Sequence, residues 1–91
     1  MVKKLLIIVF STVFFSTLNA DQELKEIIIS GNERVSDETI KVYGEIKLNK
    51  EINEEEVNKI LKKLYETNFF EDIKIKLEKN TLKLVLKEYP V

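Results

Sequence analysis

Two stretches near the C-terminal end of the chain alternate apolar and charged residues, and this period of two constrains the fold more than any other feature. In Ile73-Lys74-Ile75-Lys76-Leu77 the alternation is strict, and Leu82-Lys83-Leu84-Val85-Leu86-Lys87 repeats it except at Val85. Successive side chains of a β-strand point to opposite faces, so each stretch has one apolar face and one lysine face. Glu78-Lys79-Asn80-Thr81 between them is short and polar, with Asn80 suited to a positive φ, which predicts an antiparallel hairpin. Its register is constrained, because a slip of one residue would bury the lysines.

The residues upstream supply cover for the apolar face. Val57, Ile60, Leu61, Leu64 and Tyr65 recur at helical spacing and form a single stripe. Asn53 followed three residues later by Glu56 resembles a capping box. Glu54, Glu55 and Glu56 fill the first turn and Lys62 and Lys63 lie toward the other end, as the helix dipole favours. Thr67-Asn68 ends the helix, Asn68 being suited to a left-handed cap. A shorter helix is predicted after Ser36, a good N-cap, with Asp37 and Glu38 in its first turn. It ends near Gly44 and directs Val35, Ile40 and Tyr43 to the core. Before it, Lys25–Ser30 reads as a strand with Ile27 and Ile29 on one face, broken by Gly31-Asn32, both suited to positive φ. Glu45–Ile52 reads as a connecting loop with Ile46 and Leu48 turned inward. The expected fold is α+β in the order β-α-α-β-β, a three-stranded sheet with two helices on one face.

The first twenty residues are of another kind. Lys3 and Lys4 precede a run of apolar and small residues from Leu5 to Phe15, followed by Ser16-Thr17-Leu18-Asn19-Ala20. This is the pattern of a cleavable signal peptide, with cleavage expected after Ala20. The run is short for a bilayer span, which needs about 20 apolar residues. Asp21 then opens the mature chain, and since it is not Cys no lipid is attached there. Removing residues 1–20 takes away two lysines and no acid, leaving 13 basic and 16 acidic side chains, a net charge of −3. Residues 21–91 form one domain, near the lower size limit for a core that holds itself together by packing alone.

The composition excludes several chemistries. The chain has no Cys and no His, which removes disulfides, thiol nucleophiles, imidazole bases and the ordinary zinc sets. No basic footprint for nucleic acid is present. No Gly-rich phosphate loop or other cofactor motif occurs. The one dense carboxylate cluster, Glu54-Glu55-Glu56, is explained by the helix dipole and needs no bound metal. Glu71-Asp72 beside Phe69-Phe70 is read as acids facing water beside rings that cap the core. The chain is not read as an enzyme. The lysines of the last two strands either mark a partner-binding face or guard the sheet against edge-to-edge pairing. Ile28 and Val85 on that outer face are either a small contact patch or isolated apolar surface residues.

Together these residues resemble a known family. Ile27-x-Ile29-x-Gly31-Asn32-x-Arg34-Val35, with Thr39-Ile40 in the next helix, is similar to the opening of a POTRA (polypeptide-transport-associated) domain. Leu64-Tyr65-x-Thr67-Asn68-Phe69-Phe70-x-Asp72-Ile73 resembles the family's second-helix exit, and Leu82 to Pro90 its closing strand and boundary. Asn68 stands where many members carry Gly. The likeness is to the first POTRA domain of BamA-type outer-membrane protein assembly factors and covers the whole mature chain. It implies an exported domain on the periplasmic side of the bacterial outer membrane, ahead of a C-terminal β-barrel that this chain does not encode. The implied partners are unfolded outer-membrane protein precursors and accessory lipoproteins. Two-partner-secretion transporters and cell-division proteins also carry POTRA domains, though a cell-division protein would keep a membrane anchor, and a free periplasmic adaptor is a further reading. The chain ends at Tyr89-Pro90-Val91, where a following domain would begin, and is read as partial.

The resemblance and the hairpin suggest where clients bind. One hairpin strand is expected at the sheet edge, with Ile73, Lys74, Ile75, Lys76 and Leu77 as the candidate. An edge exposes main-chain N–H and C=O groups that an extended client can complete. Lys74 and Lys76 would discourage self-pairing. Lys76→Pro would remove an edge donor, provided that the Lys76 N–H faces outward.

Overall fold

The computed structural model describes residues 22–91, so the signal peptide expected at residues 1–20 lies outside them. Seven elements follow in order: β1 (Gln22–Glu23), β2 (Glu26–Ser30), α1 (Asp37–Gly44), β3 (Glu51–Ile52), α2 (Glu54–Glu66), β4 (Phe70–Glu78) and β5 (Thr81–Glu88). The main sheet has the order β2-β5-β4. β4 and β5 form the expected antiparallel hairpin, with Ile73 opposite Leu86, Ile75 opposite Leu84 and Leu77 opposite Leu82. β2 lies parallel to β5, Ile27 opposite Leu82 and Ile29 opposite Leu84. A parallel partner requires a crossover, and the two helices supply it. Their buried residues Ile40, Ile60 and Leu64 meet Ile73, Leu82, Leu84 and Leu86 of the sheet in one core.

Local chemistry sets the helix ends. Ser36 Oγ accepts the Thr39 N–H at 3.2 Å and starts α1. α1 ends at Gly44 as expected, and the left-handed residue that caps it is Glu45 at φ 53°. Gly44 serves packing instead. A Cβ there would lie 3.1 Å from Ile46 and 3.3 Å from Ile60, so its absence lets these side chains close over the helix end. Lys63 of α2 holds Glu45 at 2.9 Å. At α2, Asn53 Oδ1 accepts the Glu56 N–H at 2.9 Å, which is half of the expected capping box. The Glu56 carboxylate turns toward Lys59 instead of back to the cap. Asn68 takes φ 62° after the last turn, as its place in the sequence predicts.

Several expectations need correction. Tyr65, placed in the buried stripe of α2, is 39% exposed. It falls at the margin of the apolar arc, where a phenol can keep its ring on the protein and its hydroxyl at the surface. Tyr43 is also exposed, its ring packing on Phe69 with centroids 5.7 Å apart. Phe69 itself is exposed and only Phe70 enters the core. Leu48 stays at the surface, while Ile46 is buried as expected. In the hairpin turn Lys79, not Asn80, has the positive φ of 54°. Asn80 is engaged elsewhere: its side chain donates to the Glu23 carbonyl, and its own carbonyl accepts from Lys25 and Glu26. Of Gly31-Asn32 only Gly31 has positive φ (86°), and a Cβ there would stand 2.0 Å from the Leu86 carbonyl oxygen.

No pattern in the sequence marks β1 and β3, which pair with each other as a second, two-residue ladder. They position Leu24, which is 1% exposed. Its N–H donates to Lys50 and its carbonyl accepts from Asn49, so the strap over residues 22–25 ties the interhelical loop to the hairpin turn. Leu24 thus closes the base of the core.

Candidate functional site

β4 forms one edge of the main sheet, so Ile73, Lys74, Ile75, Lys76 and Leu77 lie along a border beside which no other described strand runs. Their side chains divide by face. Ile73 is buried, Ile75 and Leu77 are half-buried against the core, and Lys74 and Lys76 are exposed on the outer face. Lys76 sits opposite Lys83, a like-charge pair that would repel. Glu78 sits between them, 3.3 Å from Lys83 and 3.8 Å from Lys76. The hydrogen bond from Lys83, with the charges of both lysines, holds the Glu78 carboxyl below its ordinary range. Lys87 pairs with Glu71 at 3.0 Å. Among the described residues, Lys74 forms no ion pair.

The direction of each main-chain group follows from the turn. A two-residue connection between Glu78 and Thr81 closes on a pair that exchanges both hydrogen bonds. Alternation then makes Lys76–Lys83, Lys74–Val85 and Asp72–Lys87 hydrogen-bonded pairs as well. The N–H and C=O groups of Ile73, Ile75 and Leu77 therefore face away from β5. One contact bears this out independently: the Ile73 N–H donates to the Tyr65 hydroxyl at 3.0 Å. The Lys76 N–H points into the hairpin, so Lys76→Pro would break the ladder and would leave the edge donors in place. The open donors are those of Ile75 and Leu77.

A second arrangement, not anticipated from sequence, holds the opposite end of the sheet. The Glu88 carboxylate accepts the N–H groups of Glu33 (2.5 Å), Arg34 (2.9 Å) and Val35 (3.1 Å), and the Arg34 guanidinium at 3.1 Å. Its side chain is only 5% exposed. Burial pushes this carboxyl up, but the hydrogen bonds from Val35, Glu33 and Arg34 prevail and bring it down to about 2. Arg34 also donates to the Tyr89 carbonyl, and the Tyr89 N–H donates to Phe69 at 3.1 Å. The end of β5 is thereby clamped to the β2–α1 loop. Only a glutamate ending an alternating strand marks this in the sequence.

Glu54, Glu55 and Glu56 occupy the first turn of α2. No group of three or more acids is placed to hold a metal ion among the described residues. No described helix is long and apolar enough to cross a membrane.

A mixed three-stranded sheet in the order β2-β5-β4, with two crossover helices on one face, and a Gly31 turn locked against the closing strand define a small α+β domain of a known kind. The chain belongs to the POTRA family, whose model, described as a surface antigen variable number repeat, matches residues 22–88. It is similar to the outer membrane protein assembly factor BamA of Neorickettsia risticii (strain Illinois), with 30% identity over 78 residues. These make up 86% of this chain and 11% of that relative.

Proposed function

We propose that this chain is a periplasmic, non-catalytic POTRA module of an outer-membrane protein assembly factor, and that it binds unfolded β-barrel precursors by strand addition to β4. The observation that carries the reading is the border at Ile75 and Leu77, whose main-chain groups face away from β5. Family membership and the likeness to a protein named as an outer membrane protein assembly factor support the setting. Export rests on the signal-peptide pattern of residues 1–20. Accessory lipoproteins of an assembly complex are the further partners that such a module would meet.

Main-chain pairing suits a handler of many clients. Every extended client offers the same N–H and C=O groups, so affinity depends little on client sequence. Lys74 and Lys76 on the outer face disfavour stacking of further chains. The test is titration of the purified chain with a peptide of about ten residues copied from a transmembrane barrel strand. Amide shifts should centre on Ile75 and Leu77. Replacing the Ile75 amide by an ester, which removes the donor and keeps the side chain, should weaken binding about three- to ten-fold, the worth of one main-chain hydrogen bond. Shifts confined to the helices, or unchanged affinity in the ester variant, would refute the edge mechanism.

A further inference from the structure

We propose that Tyr65 is a stop on the β4 edge, fixing how far and in what register an extended segment can pair there; this rests on the strand-addition reading above. Tyr65 lies in the last turn of α2 and is more than one-third exposed. Its side chain reaches the edge strand, where its hydroxyl accepts the Ile73 N–H at 3.0 Å. The same hydroxyl donates to Asp72 Oδ1 at 3.5 Å. A hydroxyl has one proton and two lone pairs. With its proton directed to a carboxylate, its lone pairs are left for Ile73, so Asp72 orients the cap.

Three residues of β4 aim their main chain outward, and the cap removes the donor of the first. The edge that remains is asymmetric. Toward the hairpin turn, Ile75 and Leu77 each offer a donor and an acceptor. Toward the start of the strand, Ile73 has its donor already satisfied by the Tyr65 hydroxyl. A client strand gains a complete pair opposite Ile75 and Leu77, and gains less by extending past Ile75. Its register is set by the phenol and not by any of its own side chains. The segment accommodated is short, consistent with transient holding of a chain that must later be released. The register in the hairpin explains why the cap falls at Ile73: it is the outward-facing residue closest to the C-terminal turn of α2.

Tyr65→Phe separates this role from packing, because the ring stays and only the hydroxyl is lost. Hydrogen exchange and cross-strand contacts would be followed by NMR on the purified chain, free and with the barrel-strand peptide. In the unsubstituted chain Ile73 should be protected before peptide is added, and peptide should newly protect Ile75 and Leu77. In Tyr65→Phe, Ile73 should exchange fast when free and become protected on binding. The peptide contacts should then extend toward Asp72, and affinity should rise about three- to ten-fold for the added main-chain hydrogen bond. Asp72→Ala, which leaves the ring and the ladder intact, should shift Ile73 protection in the same direction by a smaller amount. Equal affinity and register in Tyr65→Phe, or a peptide already paired through Ile73 in the unsubstituted chain, would overturn the proposal. Absence of new protection anywhere on β4 in both chains would instead refute strand addition itself, and the stop with it.

Discussion

Leu24→Ala tests the least expected part of the fold. The side chain is buried, and the backbone on both sides is held by hydrogen bonds to Lys50, Asn49 and Asn80 that the substitution leaves in place. The loss is therefore one of packing. Removing three buried carbons costs about 2.4 kcal/mol in transfer free energy, at about 0.8 kcal/mol each. The cavity term raises a buried Leu→Ala substitution into the range of about 2–5 kcal/mol. Leu24 sits on a short strap that can partly collapse into the space, which places the expected loss at about 2.5–3.5 kcal/mol. A domain of this size has a total stability of only about 4–10 kcal/mol. The corresponding fall in Tm is about 10–25 °C. Thermal melts followed by circular dichroism, with urea midpoints in parallel, measure it. Leu48→Ala is the control, since Leu48 is 47% exposed and should cost less than about 0.5 kcal/mol. A chain beginning at Lys25 should lose at least as much as Leu24→Ala. If Leu24→Ala and Leu48→Ala melt together, the strap does not close the core and the β1–β3 ladder is not part of the stable structure.

Leu64→Ala in the centre of α2 should cost about 2–5 kcal/mol, because that side chain is fully buried, whereas Glu55→Ala in the exposed first turn should cost a few tenths. Urea titrations of both variants check the direction of the helix. The Glu88 carboxyl is lowered from 4.5 to about 2, so its contribution to stability is complete above about pH 4.5 and is lost as pH falls toward 2. Melts of Glu88→Gln between pH 5 and 2 should show a lower plateau and a flatter acid limb than the unsubstituted chain. N-terminal sequencing of protein recovered from the periplasm should begin at Asp21, and retention of Met1 would make residues 1–20 a membrane anchor.

The parts of this fold that could be read in advance are those in which a periodic pattern spans several residues. Five apolar positions at helical spacing mark α2, and two alternating runs mark the β4–β5 hairpin, because burial acts on each position independently and leaves a regular trace. β1 and β3 leave none, being two residues each, and Leu24 has no periodic neighbours to declare it. The aromatic residues depart from the periodic pattern for a related reason. Tyr43 and Tyr65 have the hydrophobicity of core residues but lie at the rims of the helical faces, where small rotations decide exposure, and Phe69 lies in the connector between α2 and β4. Lys79 takes the positive φ expected of Asn80 because Asn80 makes three hydrogen bonds, two to the strap and one to the start of β2. That is a tertiary demand which outweighs a local preference.

The edge position of β4 was legible in a different way, as a consequence of the hairpin and not as a set of chemical groups. No side chain in Ile73–Leu77 is specialised for binding. Its apolar residues face the core and its lysines guard the outer face, so each is already explained by folding. On the proposed strand addition, what remains for recognition is the main chain, which is the same in every sequence and leaves no motif. Register is therefore the quantity that matters. A turn of two residues decides that Ile75 and Leu77, rather than Lys74 and Lys76, present their amides outward. An insertion of one residue in that turn would move the lysines inward or exchange the exposed amides, at a cost to both the core and the edge. Substitutions that change binding without changing stability should accordingly be few, and Tyr65 is where the structure places one: a side chain outside the core whose hydroxyl reaches the edge itself.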